Sequence, residues 1–286
     1  MKIQEQKIRS LILEIYRQRD REIDPSRGLE AFLKRDDEGN RYVKLYADGA
    51  HKLVLSEKYK QEKEFAELAD WLADNEVQEK GLRDYTLADL HALPEGVKDE
   101  MRSIWFSADQ HHGHKSMAAN KWDDINRPTT KDEHDQWLVD QINSRVKRKD
   151  KLYLIGDVSL ATRKEAEKFL HKLNGHKTLI YGNHDKNIKN THVISEKTWI
   201  KDFTFSRPGI DIAIALCHYP MVTWNRKVHG AWHLYGHVHG RYEHPDLAMD
   251  VGIDHPRMNF LPINLYEVAE YMLDKKDRVT FERDVP

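Results

Sequence analysis

An α/β fold with parallel pairing at its centre is the class this sequence predicts, and three observations predict it. Between residues 104 and 181, short apolar runs alternate with helical stretches in the order β-α-β-α-β. Each run ends in aspartate, asparagine or histidine, as expected where loops gather above the C-terminal edge of a parallel sheet. With 286 residues and 39% hydrophobic content, the chain has material for a large core without covalent staples.

The first hundred residues differ in texture. Ile3, Ile8, Leu11, Ile12, Ile15 and Tyr16 recur at near-helical spacing among charged residues, predicting an amphipathic helix that packs by one face. The runs from Arg41 to Tyr46 and from His51 to Leu55 flank Ala47-Asp48-Gly49-Ala50, a turn signal that predicts a β-hairpin. Glu64 to Ala73 sets Phe65, Leu68, Ala69 and Leu72 on one helical face. A further helical stretch begins at Thr86, and Pro94-Glu95-Gly96 breaks it. Residues 1–100 are therefore read as a small, mainly helical accessory or cap segment, and residues 101–286 as the main domain. No constellation of reactive side chains falls in the first segment.

In the main domain, Ile104-Trp105-Phe106 is the first strand. The helix from Thr130 to Val146 follows, with Trp137, Leu138, Ile142 and Val146 as its buried stripe and a cap at Thr129 or Thr130. Lys151 to Ile155 is the second strand. Ala166, Phe169, Leu170 and Leu173 face a helix that Asn174-Gly175 stops, and Thr178 to Tyr181 is the third strand. Ile200–Phe205, Ile212–Cys217, Trp232–Tyr235 and Ala248–Ile253 read as further strands, Leu265–Leu273 as a helix and Arg278–Glu282 as an edge strand.

Composition narrows the partners. The formal charge is −2, without the basic footprint of a protein that grips long duplex DNA, so small or short substrates are expected. The basic run Arg145-Val146-Lys147-Arg148-Lys149 is either a guide for a single strand or a helix end that favours cations. A single cysteine, Cys217, excludes an intramolecular disulfide framework and a cysteine-rich zinc site, and fits a reducing compartment and a core position. No apolar run approaches the ~20 residues that span a bilayer, and no signal-peptide core follows Met1. The expected location is the cytoplasm, with no membrane partner; the sequence does not fix the oligomeric state.

Five strand ends offer chemistry: Asp109 and His111; Asp157; Asn183 and His184; His218; and His237 with His239. Carboxylate, imidazole and amide donors without thiolate suit Mn²⁺, Fe, Zn²⁺ or Ni²⁺. These donors are too many for one centre, so two divalent ions are implied, Mn²⁺ being favoured. His112 and His114 are candidates to line the pocket, with surface exposure as the competing explanation. Arg127, before Pro128, is either a phosphate contact or a loop anchor, and Asp254 either supports a ligand or makes a turn.

The ordered set Asp-x-His, Gly-Asp, Gly-Asn-His-Asp, His and Gly-His-x-His resembles the calcineurin-like metallophosphoesterases. Gly113-His114, Asn126-Arg127-Pro128 and His229-Gly230 are similar to the short phage and prokaryotic members, over about residues 102–270. The resemblance implies a four-layer α/β/β/α sandwich of two mixed sheets. It implies that Asp109, His111 and His239 hold one ion and Asn183, His218 and His237 the other, with Asp157 bridging. It implies hydroxide from a shared water as nucleophile, His184 as general acid, and Asp185 orienting it or tuning its pKa. The substrate is then a phosphate ester, extending to nucleotides or short nucleic acids. Diester cleavage is the first expectation. Phosphomonoester hydrolysis and single-strand nuclease action are the alternatives, and a non-catalytic metal-binding scaffold ranks last.

Overall fold

The computed structural model describes residues 6–18, 29–35, 40–47, 51–56, 63–74, 81–114, 128, 130–194 and 196–276. The chain forms two compact units, Met1–Asp84 with Ser206–Asp211, and Tyr85–Phe205 with Ile212–Pro286.

The first unit holds helices α1 (Gln6–Arg17) and α2 (Lys63–Asp74) and strands β1 (Leu29–Arg35), β2 (Arg41–Ala47) and β3 (His51–Ser56). The three strands pair antiparallel in the order β1-β2-β3. Alternation puts Leu29, Ala31, Leu33, Val43, Leu45 and Leu55 on one face, where they bury against Ile8, Ile12, Ile15, Tyr16, Leu68 and Leu72 of the helices. The expected hairpin is present as β2 and β3, while its Asp48-Gly49 turn lies outside the described residues. Strand β1 has no counterpart among the expected elements, so this unit carries more sheet than a mainly helical segment.

The second unit is α/β. A five-stranded sheet has the order β12-β4-β5-β6-β7, from Ile263–Asn264, Ile104–Ser107, Lys151–Ile155, His176–Ile180 and Glu196–Thr198. All its pairs are parallel except β12 with β4. A four-stranded sheet has the order β11-β10-β9-β8, from Ala248–Asp250, Trp232–Tyr235, Ile210–Cys217 and Ile200–Arg207. Strand β10 pairs parallel to both its neighbours, whereas Pro208-Gly209 joins β8 to β9 by a connection only antiparallel strands can use.

Helices α5 (Lys131–Arg145) and α6 (Arg163–Lys172) cover one face of the larger sheet, packing Leu138, Ile142, Ala166, Phe169 and Leu170 against Trp105, Leu152, Leu154 and Leu179. Thr130 caps α5, and Thr162 with Glu165 forms a capping box on α6. The alternate residues Phe106 and Tyr153 turn to the other face, where their rings lie 5.9 and 5.5 Å from that of Phe203 on β8. Helices α3 (Leu87–Ala92) and α4 (Glu95–Arg102), expected in the accessory segment, instead belong to this unit and pack on α7 (Leu265–Lys276). The Arg102 guanidinium sits over the Tyr266 ring, and Lys276 donates to the Tyr85 carbonyl. The strand expected at Arg278–Glu282 lies outside the described residues. Among the described residues, no helix is long and apolar enough to cross a membrane.

Candidate metal centre

The loops after β4, β5, β6, β9 and β10 converge because backbone pairing continues beyond the strands. Asp109 N–H donates to the Gly156 carbonyl (3.0 Å), His111 N–H to that of Asp157 (2.9 Å) and His112 N–H to that of Val158 (3.0 Å). His237 N–H donates to the Asp109 carboxylate at 2.9 Å, and His184 N–H to Asp157 Oδ1 at 2.9 Å. Each carboxylate is thereby aimed by a loop from another strand.

Two groups of side chains result. Asp109, His111 and His239 offer ligand atoms all within 4.8 Å of one another, and so do Asp157, His218 and His237. Asp157 faces both, since its Oδ2 lies 3.4 Å from His218 Nε2 and 3.8 Å from His111 Nε2. His111 Nε2, His218 Nε2 and Asn183 Oδ1 are buried without a hydrogen-bond partner, which is costly unless something else satisfies them. His218 Nδ1 lies 2.9 Å from the Ile155 carbonyl and His239 Nδ1 lies 2.6 Å from Asp254 Oδ2, contacts that fix the orientation of both rings. Carboxylates and neutral imidazoles in two adjacent sets suit two hard or borderline divalent cations.

The backbone is strained where these side chains emerge. Asp109, His111, Asp157, His237 and His239 all have positive φ, between 49° and 73°. Such conformations cost about 1–3 kcal/mol each and persist only where the surroundings fix them. Two glycines allow the close approach. A Cβ on Gly156 would lie 2.4 Å from His218 Nδ1, and one on Gly182 would lie 2.2 Å from Asp157 Oδ1.

Electrostatics agree with the geometry. Burial, then repulsion by Asp254, Asp250 and Asp157, pushes the Asp109 carboxyl well above the usual range. Burial holds His111 neutral, with a pKa of about 3. Burial alone would raise Asp157, but its contact with His218 outweighs that and holds it down at about 2. Burial and the neighbouring His218 lower His237. Crowded acids and unpaired imidazole nitrogens form a set that positive charge would relieve.

The other expected residues separate clearly. His184 stands at the rim, its side chain 44% exposed and its Nε2 3.9 Å from Asp157 Oδ2. Its ring lies 5.5 Å from that of His111. Asp185 does not orient it, which corrects the expectation. The Asp185 carboxylate is buried and accepts the N–H groups of Asp157 (2.9 Å), Val158 (2.8 Å) and Gly182 (2.8 Å), clamping two loops together. His112 is likewise no pocket residue: it stacks on Phe169 at 4.2 Å, bonds Ser159 Oγ at 2.9 Å and faces Asp135. His114 is half-buried at the rim, 5.9 Å from the His111 ring. Arg127 lies outside the described residues.

Cys217 is buried, as expected. Arg145 packs over Trp105, donates to the Pro262 carbonyl and pairs with Glu267, so the basic run loses that member to structure, while Lys147, Arg148 and Lys149 are exposed. Asp250 carries no signal in the sequence that singles it out. Its carboxylate accepts the N–H groups of Gly240 and Gly252, both at 2.8 Å, and holds the His239 loop.

No family model matches the chain. An uncharacterized protein, MJ1445 of Methanocaldococcus jannaschii, is 28% identical over 173 residues, 58% of this chain and 88% of that one. The Gene 66 protein of Mycobacterium phage D29 is 26% identical over 166 residues, 49% of this chain and 80% of its own. Among solved structures, the protein of unknown function AQ665 from Aquifex aeolicus aligns with a TM-score of 0.43 and 17% identity, covering 59% of this chain and 98% of that one.

Proposed function

We propose that the protein is a dinuclear metal-dependent phosphohydrolase of the calcineurin-like type, acting in the cytoplasm and preferring phosphodiesters. The observation that carries this reading is the pair of ligand groups meeting at Asp157, with buried His111 and His218 nitrogens left without hydrogen-bond partners. In it, Asp109, His111 and His239 would hold one cation, Asn183, His218 and His237 would hold the other, and Asp157 would be available to both. Bound there, the pair supplies charge neutralisation for phosphoryl oxygens and acidifies water.

The chain's own groups do the remaining work. His111, neutral across the physiological range, holds its buried Nε2 between Asp109 and Asp157. His184 is outside both ligand groups and open to solvent, so it can hand a proton to the departing alkoxide. Asp185 and Asp250 fix the loops, and Asp254 fixes the His239 ring, so the donors need no rearrangement during the reaction. Asp109 and Asp157, with Asp250 and Asp254 close behind them, already crowd the site with acids, so a diester monoanion would add less negative charge there than a monoester dianion.

The test compares kcat/KM for a bis-aryl phosphate with that for the matching mono-aryl phosphate on Mn²⁺-loaded protein, each corrected for its uncatalysed rate. A diester preference is expected. A corrected monoester preference, abolished by Arg127→Ala, would make Arg127 a phosphate clamp and the protein a phosphatase.

A further inference from the structure

Tyr219 directly follows His218, and its ring centroid lies 4.8 Å from that of His237 and 5.2 Å from that of His218. Both histidines belong to the Asp157 group, so the Tyr219 ring is a wall of that site, and it stays 37% exposed. The same stretch of chain exposes Val222 (85%) and Val228 (50%). Three of the seven large exposed hydrophobic residues among those described therefore lie in the ten consecutive positions that begin at Tyr219.

This stretch is pinned in place. Met221 N–H donates to His233 Nε2 (3.2 Å), Trp224 Nε1 to the Ala231 carbonyl (2.9 Å), and Ala231 N–H to the Arg226 carbonyl (3.0 Å). Trp224 and His233 are buried beneath it, their rings 5.3 Å apart. An ordered aromatic ring held partly in water beside two ligand histidines gains by being covered by a ligand.

The geometry points to a subsite for a nucleobase, making a nucleotidyl phosphodiester the substrate class. This inference rests on the phosphohydrolase reading above. A phosphate engaged by the Asp157 group carries its ester arm within reach of Tyr219, and every base offers a π face on which an aromatic side chain stacks.

The test uses two diesters that share 4-nitrophenol as leaving group, 4-nitrophenyl methyl phosphate and the 4-nitrophenyl ester of thymidine 5′-phosphate, on Mn²⁺-loaded full-length protein. Wild type is expected to favour the thymidine ester in kcat/KM by about 5- to 100-fold, mostly through KM, as one stacked base provides. Tyr219→Ala should collapse that ratio toward one, and Tyr219→Phe should restore it. A ratio near one in wild type, or one that Tyr219→Ala leaves intact, overturns the subsite. Binding of thymidine 5′-phosphate, followed by quenching of tryptophan fluorescence, judges the subsite independently of turnover. Saturable binding weakened in Tyr219→Ala supports it even if neither ester is hydrolysed, an outcome that would defeat only the phosphohydrolase reading. Equal binding by wild type and Tyr219→Ala overturns it.

Discussion

Replacing Asp185 by asparagine should destabilise the protein rather than impair proton transfer. Asp185 Oδ2 accepts from Asp157 and Gly182, and Oδ1 from Val158, in a fully buried position. Whichever way the introduced amide turned, its NH₂ would face at least one backbone N–H that has no other acceptor. Each buried donor left unpaired costs about 1–3 kcal/mol. Relief of the buried carboxylate's desolvation offsets part of this, since burial already pushes the Asp185 carboxyl above its ordinary pKa. The net expectation is a loss of about 1–3 kcal/mol, or about 2–12 °C in Tm for a unit of this size. Scanning calorimetry of Asp185→Asn measures it, alongside the pH–rate profile of the folded variant. An unchanged Tm with a displaced acid limb in the rate profile would refute the clamp and return Asp185 to a role behind His184.

Three further perturbations probe the site and its support. His184→Ala should retain wild-type metal content while slowing diesters of alkyl alcohols about 10²- to 10⁴-fold and activated aryl esters less; an equal loss for both would assign His184 to phosphoryl charge instead. Asp254→Ala should weaken Mn²⁺ binding at the His239 group about 10- to 100-fold by calorimetric titration, because the 2.6 Å contact sets the ring's orientation; unaltered affinity would contradict that. Burial holds His233 at about 4, below the unfolded value of about 6.5, so its contribution to stability is full above the unfolded pKa and is lost as pH falls toward 4. Urea melts should show about 2 kcal/mol of stability lost between pH 7 and 5 from this group, and a smaller loss in His233→Asn; identical pH dependence in the two would refute it.

Much of this arrangement is legible in the sequence because chemistry and periodicity coincide in the second unit. Runs of four to eight residues end in ligand-type side chains, and the loops after β4, β5, β6, β9 and β10 bring those side chains together. Strands β7 and β12, of three and two residues, are too short to leave a periodic signal, and they take their form from the neighbours they pair with. Asp185 misleads because adjacency to a histidine looks like a catalytic pair. Its true partners include Asp157 and Val158, 28 and 27 positions away, which sequence does not connect. His112 misleads for a different reason. The left-handed backbone at His111 turns the chain there, and His112, bridged to Ser159, faces Phe169 on α6 instead of the cleft, a turn that residue order does not reveal. Helices α3 and α4 straddle the Pro94 break, yet Leu90 and Met101 are both buried in the unit that contains α7. A local breaker marks a turn, not the limit of a domain.

The central claim is that two cations, meeting at Asp157, make the phosphohydrolase. The most direct measurement strips the protein with a chelator and adds Mn²⁺ back in fractions of an equivalent, reading bound metal per chain and diester turnover on the same samples. Negligible turnover without metal, saturation at two ions per chain, and turnover that rises with the second ion are expected. Full turnover in metal-free protein, or saturation at one ion, would contradict the claim.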